Sequence, residues 1–113
     1  MTVQSCRCYL RRGCWWRWMG PGGAPRLLVA SLHPPAMVME LVGVSIYHDY
    51  VWLCSVQDFL ASLVSIAQRL GEIHATGIVH NDIKSDNITF SGTVAKPVFH
   101  IIDFGVACRV GQI

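Results

Sequence analysis

Asp82, Lys84 and Asn87 lie within six residues, and Asp103 follows sixteen positions after Asn87. Asn87 offers an amide oxygen and Asp103 a carboxylate, both hard ligands of the kind that suit Mg2+. Lys84 carries an ammonium that can offset the charge of a bound anion. Asp82 alone would be an ordinary loop-capping carboxylate, but these neighbours give it a second reading as part of a site. The full runs are His80-Asn81-Asp82-Ile83-Lys84-Ser85-Asp86-Asn87 and Asp103-Phe104-Gly105. Asp86 has no chemical role in this set and reads as a loop or cap residue. His48 and His74 read as packing or surface histidines, and Met37 and Met39 as core.

The flanking pattern predicts how these residues are carried. Ile78-Val79-His80 reads as a short strand and residues 81–87 as a polar loop. Ile88–Phe90 reads as a second strand turned at Ser91-Gly92, and Val98–Ile102 as a third that ends at Asp103. Asn87 and Asp103 would then come from neighbouring strand ends, where one bound cation can touch both. Upstream, Phe59, Leu63, Ile66, Leu70 and Ile73 recur every three or four residues. That spacing predicts a largely buried helix from about Asp58 to Ala75. Ser55 with Asp58 forms a variant capping box, and Gly77 suits the left-handed stop.

Closer to the start, Pro21-Gly22-Gly23-Ala24-Pro25 is a breaker cluster. Arg26–Ala30 and Ala36–Val42 read as strands of a hairpin around His33-Pro34-Pro35, ended by Gly43. Residues 44–57 fit either a short helix or an irregular link.

Composition bounds the function. Net charge is +2, too small to argue for nucleic acid or an anionic membrane. No apolar run approaches the ~20 residues that span a bilayer. With no signal peptide visible either, a cytoplasmic location is the default expectation. Hydrophobic residues make up 52% and charged residues 14% of the 113, which fits a fragment stripped of partner surfaces or a poorly folding chain. Residues 1–21 form a basic, Cys- and Trp-rich leader expected to be poorly ordered. Cys6-x-Cys8 matches no common zinc spacing.

Together the H-x-D-x-K-x-x-N run and the D-F-G tripeptide, in this order, resemble the protein kinase superfamily. Met37-Val38-Met39-Glu40-Leu41-Val42-Gly43 is similar to the hinge between the two kinase lobes, and the likeness covers roughly residues 22–110. It implies an α+β, protein kinase-like fold, of which this chain would hold the hinge and the upper part of the large lobe. Residues 22–113 are accordingly expected to be a partial kinase domain.

The resemblance also implies ATP and Mg2+ as cofactors and a protein substrate phosphorylated on Ser or Thr, the branch suggested by Lys84. Asp82 would act on the substrate hydroxyl, and Lys84 on the transferring phosphate. Asn87 and Asp103 would hold the metal. Glu40 and Val42 would offer a main-chain carbonyl and N–H to adenine, with Met39 as gatekeeper. His80 and Phe104 would pack the loop on the metal-binding turn.

Several positions depart from the family. Asn81 stands where arginine is usual, which implies activity independent of a phosphate on the activation loop. Thr89 replaces a bulky aliphatic beneath adenine. No G-x-G-x-x-G precedes the hinge, the only lysines are Lys84 and Lys96, and no A-P-E follows. The chain is therefore expected to be weakly active or inactive by itself. It is also expected to be unstable, or to need a partner chain over its exposed apolar surface. Two other readings stay open: a non-catalytic kinase-like binding module, and a small-molecule phosphotransferase of related fold.

Overall fold

The computed structural model describes residues 2–4, 20–43 and 45–111. The leader's cysteines and tryptophans lie outside the described residues; Thr2–Gln4 (β1) forms a strand. In the hairpin, Leu27–Leu32 (β2) pairs antiparallel with Pro35–Met39 (β3). β1 lies on the other side of β3, giving a three-stranded sheet ordered β1-β3-β2. Alternation along β3 sends Met37 and Met39 into the core, while Leu28, Val29 and Leu32 of β2 face outward. β3 stops at Met39, short of the expected Val42. Residues 40–43 leave the ladder to line a cleft.

The stretch left open between a short helix and an irregular link holds a helix, preceded by a strand that was not expected. Ser45–Ile46 (β4) is a short strand and Tyr47–Leu53 (α1) a two-turn helix. The long helix runs from Val56 to His74 (α2), with Ser55 as N-cap accepting from the Asp58 N–H at 3.1 Å. Gly77 takes a φ of 81° in the turn beyond it. Ile78–Val79 (β5) follows, then Ile88–Gly92 (β6) and Pro97–Ile101 (β7). The β6–β7 hairpin turns at residues 93–96, not at Ser91-Gly92, because the ladder continues to Gly92 opposite Pro97. β4, β6 and β7 form a second antiparallel sheet, and β5 pairs with Cys108–Arg109 (β8).

Among the described residues two apolar clusters form the core, and α2 joins them. Ile73 packs with Met37, Met39, Ile78, Ile101 and Phe104, whereas Ile66 packs with Tyr47, Tyr50, Ile88, Phe90 and Phe99. The largely buried helix expected from the apolar spacing needs correcting. Only Ser62, Ile66 and Ile73 of α2 are buried, while Leu60, Leu63 and Val64 are 56%, 46% and 60% exposed. The sheet and α1 touch one narrow stripe, which includes Ser62 because its hydroxyl meets Tyr47 Oη. A period of three to four shows how wide the apolar face is, not how much of it is covered. No described helix is long and apolar enough to cross a membrane.

Tyr50 is the largest fully buried side chain among the described residues, edge-on to Phe90 and Phe99. Burial, reinforced by nearby Asp58, pushes its phenol above the ordinary 10.0. A raised folded value means that this stabilisation is complete below the unfolded value and is lost as pH rises through the folded one. Stability should therefore hold up to about pH 10 and fall beyond it. Thermal melts across that range check this. Tyr50→Phe should flatten the alkaline fall, and an unchanged fall in that variant would assign it to other groups.

Candidate active site

The site begins where β5 delivers His80 into the core at 1% exposure. Its Nε2 lies 2.8 Å from the Ile102 carbonyl, and its Nδ1 accepts from the Asp82 N–H at 3.1 Å. A carbonyl can only accept and an amide N–H can only donate, so the ring is neutral with its proton on Nε2. Phe104 meets the same ring edge-on, with centroids 4.7 Å apart. One imidazole thus fixes the start of the loop against the strand end that carries Asp103.

Asn87 closes the other end of the loop. It is 5% exposed, in a 3-10 turn over Ser85–Asn87. Nδ2 donates to the Asp82 carbonyl at 2.9 Å and to Asp82 Oδ2 at 3.1 Å. Both amide hydrogens are used, and the reverse amide orientation would set oxygen against two oxygens. This leaves Oδ1, nearly buried, as an acceptor without a hydrogen bond among the described residues. The Asn87 carbonyl accepts from the Ile102 N–H at 2.9 Å. The loop is therefore tied twice to Ile102, once through His80 and once through Asn87.

Asp103 follows with φ 58°, and its Oδ1 accepts from the Gly105 N–H at 3.1 Å. A left-handed backbone is unusual outside glycine and is tolerated best by Asn and Asp. Lys84 Nζ stands 3.9 Å from Asp82 Oδ2, on an exposed side chain. The expected residues thus fall into two joined groups. Asp82, Lys84 and Asn87 share the loop; Met39, Glu40, Val42 and Asp103 line a cleft of about 390 Å³.

In the hinge segment two main-chain groups are occupied. The Glu40 N–H donates to the Arg26 carbonyl at 3.0 Å, and the Val42 carbonyl accepts from Thr89 Oγ1 at 2.9 Å. The Glu40 carbonyl and the Val42 N–H have no hydrogen-bond partner among the described residues. Gly43 permits this close approach. Its φ is 73°, and a Cβ there would lie 2.7 Å from Thr89 Cβ. Arg26 and Glu40 also form an ion pair at the hinge edge.

Some lining residues were not anticipated. Pro25, Ile46, Asp49 and Ile102 border the cleft. Asp49 and Ile46 fall in the stretch whose mixed pattern gave no clear element, so nothing local marked them. The donors present suit a hard cation. A nearly buried amide oxygen on Asn87 and the Asp103 carboxylate fit Mg2+.

A cleft bordered by residues 39–43 and Asp103 thus lies on a mixed α/β fold, and the loop that carries Asp82, Lys84 and Asn87 is tied to Ile102, the residue before Asp103. The sequence matches the protein kinase domain family over residues 32–112, and the chain belongs to that family. The fold is similar to that of the kinase PK-1 of Cydia pomonella granulovirus, with a TM-score of 0.65 at 21% identity. That match covers 81% of this chain and 35% of the viral one, so the chain spans about a third of that kinase's length.

Proposed function

We propose that this chain carries the nucleotide- and metal-binding centre of a Ser/Thr-directed protein kinase. ATP would lie in the 390 Å³ cleft, with adenine against the Glu40 carbonyl and the Val42 N–H and with Met39 behind it. Asn87 Oδ1 and Asp103 would hold Mg2+, which supplies charge neutralisation for the phosphates when bound. Asp82 Oδ1, the carboxylate oxygen not bonded to Asn87, would orient the substrate hydroxyl and take its proton. Lys84, exposed beside Asp82, would offset charge on the transferring phosphoryl group. The observation that carries this reading is the Asn87 amide. Its two donors are spent on Asp82, which leaves a nearly buried oxygen unsatisfied on a residue whose carbonyl is bonded to Ile102, the neighbour of Asp103.

A second reading rests on the lysines. Lys84 and Lys96 both follow the hinge, so no earlier lysine of this chain can hold the α- and β-phosphates. Within these residues that leaves a non-catalytic, kinase-like binding module as the second reading.

Calorimetry with Mg2+-ATP tests the first reading. Asp103→Asn keeps the Oδ1 acceptor for Gly105 and removes only charge. It should weaken Mg2+-ATP binding at least about tenfold, ~1.4 kcal/mol, and leave adenosine binding unchanged. Mg2+-ATP binding that the substitution leaves intact would remove Asp103 from the metal site.

A further inference from the structure

Asn81 sits between His80 and Asp82 with φ 71°, yet its side chain takes no part in the contacts that hold either neighbour. It reaches instead across the site. Nδ2 donates to the Val106 carbonyl at 3.2 Å and lies 3.2 Å from Cys108 Sγ. Both partners lie just after Asp103-Phe104-Gly105.

We propose that Asn81 is a positioning residue: its side-chain amide clamps the segment after Gly105 to the loop that carries Asp82, and so fixes the backbone of Asp103 from its downstream side. The use made of the clamp rests on the phosphoryl-transfer reading above, but its existence does not.

The lever is plain from the topology. β8 has two residues, and its ladder to β5 consists of Ile78 opposite Arg109 and Val79 opposite Cys108, extended by the Val110 N–H to the Gly77 carbonyl at 2.8 Å. So short a pairing is marginal without side-chain support. Asn81 supplies that support from the loop one residue beyond His80. Upstream, Asp103 is already held through Ile102 by His80 and Asn87. With Val106–Cys108 held downstream, a left-handed aspartate is fixed on both flanks, the condition under which such a conformation persists. Asn81 contributes no ionic group to the clamp, so its hold should not weaken with salt. Asparagine also suits the position because it tolerates positive φ better than a long side chain does.

Two variants separate the side chain from the backbone. Asn81→Asp keeps the shape and the tolerance of φ but removes both N–H donors and sets a carboxylate against the Val106 carbonyl. Asn81→Gly accepts φ without strain and has no side chain at all. Hydrogen exchange on the full chain, without nucleotide, should show both variants losing about fivefold protection over residues 106–110, the effect of one net hydrogen bond. Amides of α2 and β6–β7 serve as the internal control and should not change. Mg2+-ATP should bind both variants severalfold more weakly, with adenosine binding unaffected, since only the phosphate end depends on Asp103. Wild-type protection over 106–110 in Asn81→Gly would overturn the clamp. Failure of the wild-type chain to bind Mg2+-ATP would count against the phosphoryl-transfer reading alone, and the exchange result would still decide the clamp.

Discussion

Replacing Phe104 with alanine should cost about 3–5 kcal/mol of stability. The ring is 1% exposed and belongs to the cluster with Met39, Ile73, Ile78 and Ile101. It is also the surface on which His80 stands, 4.7 Å away. Alanine would leave a cavity among side chains of α2, β3, β5 and β7. Small domains hold only about 5–15 kcal/mol in total, so this loss takes a large share. Denaturant titration followed by far-ultraviolet circular dichroism measures it as a fall in midpoint. Phe104→Leu, which refills most of the volume, should recover much of the loss. A midpoint within the error of wild type for Phe104→Ala would show that the loop does not lean on this ring.

Asn87→Asp should be nearly as damaging at neutral pH, by a different route. The substitution is isosteric, so packing is kept. It removes the two N–H donors now 2.9 Å and 3.1 Å from Asp82 oxygens and sets a carboxylate beside a carboxylate. Unmade bonds at a nearly buried position and like-charge repulsion together give about 2–4 kcal/mol, the lower end if solvent screens half-exposed Asp82. The pH dependence has a definite sign. Protonating one carboxyl of the pair removes the repulsion and restores a donor, so the gap to wild type should close as pH falls through the carboxylate range. Mg2+ should also narrow the gap, because it neutralises the pair. Melts of both proteins at about pH 4 and pH 7, with and without Mg2+, give all four comparisons. A gap indifferent to both would mean that the Asn87 amide does not face Asp82.

Much of this site can be read along the chain because its residues are close in sequence or sit at strand ends. The loop 81–87 is short, polar and bounded by apolar runs, so its carboxylates, lysine and amide are kept near one another by local structure, and Ile102 then ties both ends of the loop. The β2–β3 hairpin could be read for a similar reason. A Pro-rich turn and two apolar runs specify a hairpin, and Met39 is buried by alternation along β3. The contacts across the site were less accessible. Nothing in the run Ser45–Leu53 marked Asp49 as a cleft residue, because its position depends on α1 following β4 directly. Thr89 stands out in the sequence only as an unusual residue. In the fold its hydroxyl donates to the Val42 carbonyl and so occupies one main-chain group of residues 40–43.

Sequence alone determined the family resemblance, the long helix and the strands that flank loop 81–87, since these depend on residue identity and short spacings. Tertiary structure decided which stripe of α2 is buried, which atoms of Asn87 and His80 are spent, and that Asn81 reaches Val106 and Cys108. The physical reason is that a hydrogen bond or a covered apolar face depends on partners brought from far along the chain. Asn81 and Val106 are twenty-five residues apart, and only the pairing of β5 with β8 brings them within 3.2 Å.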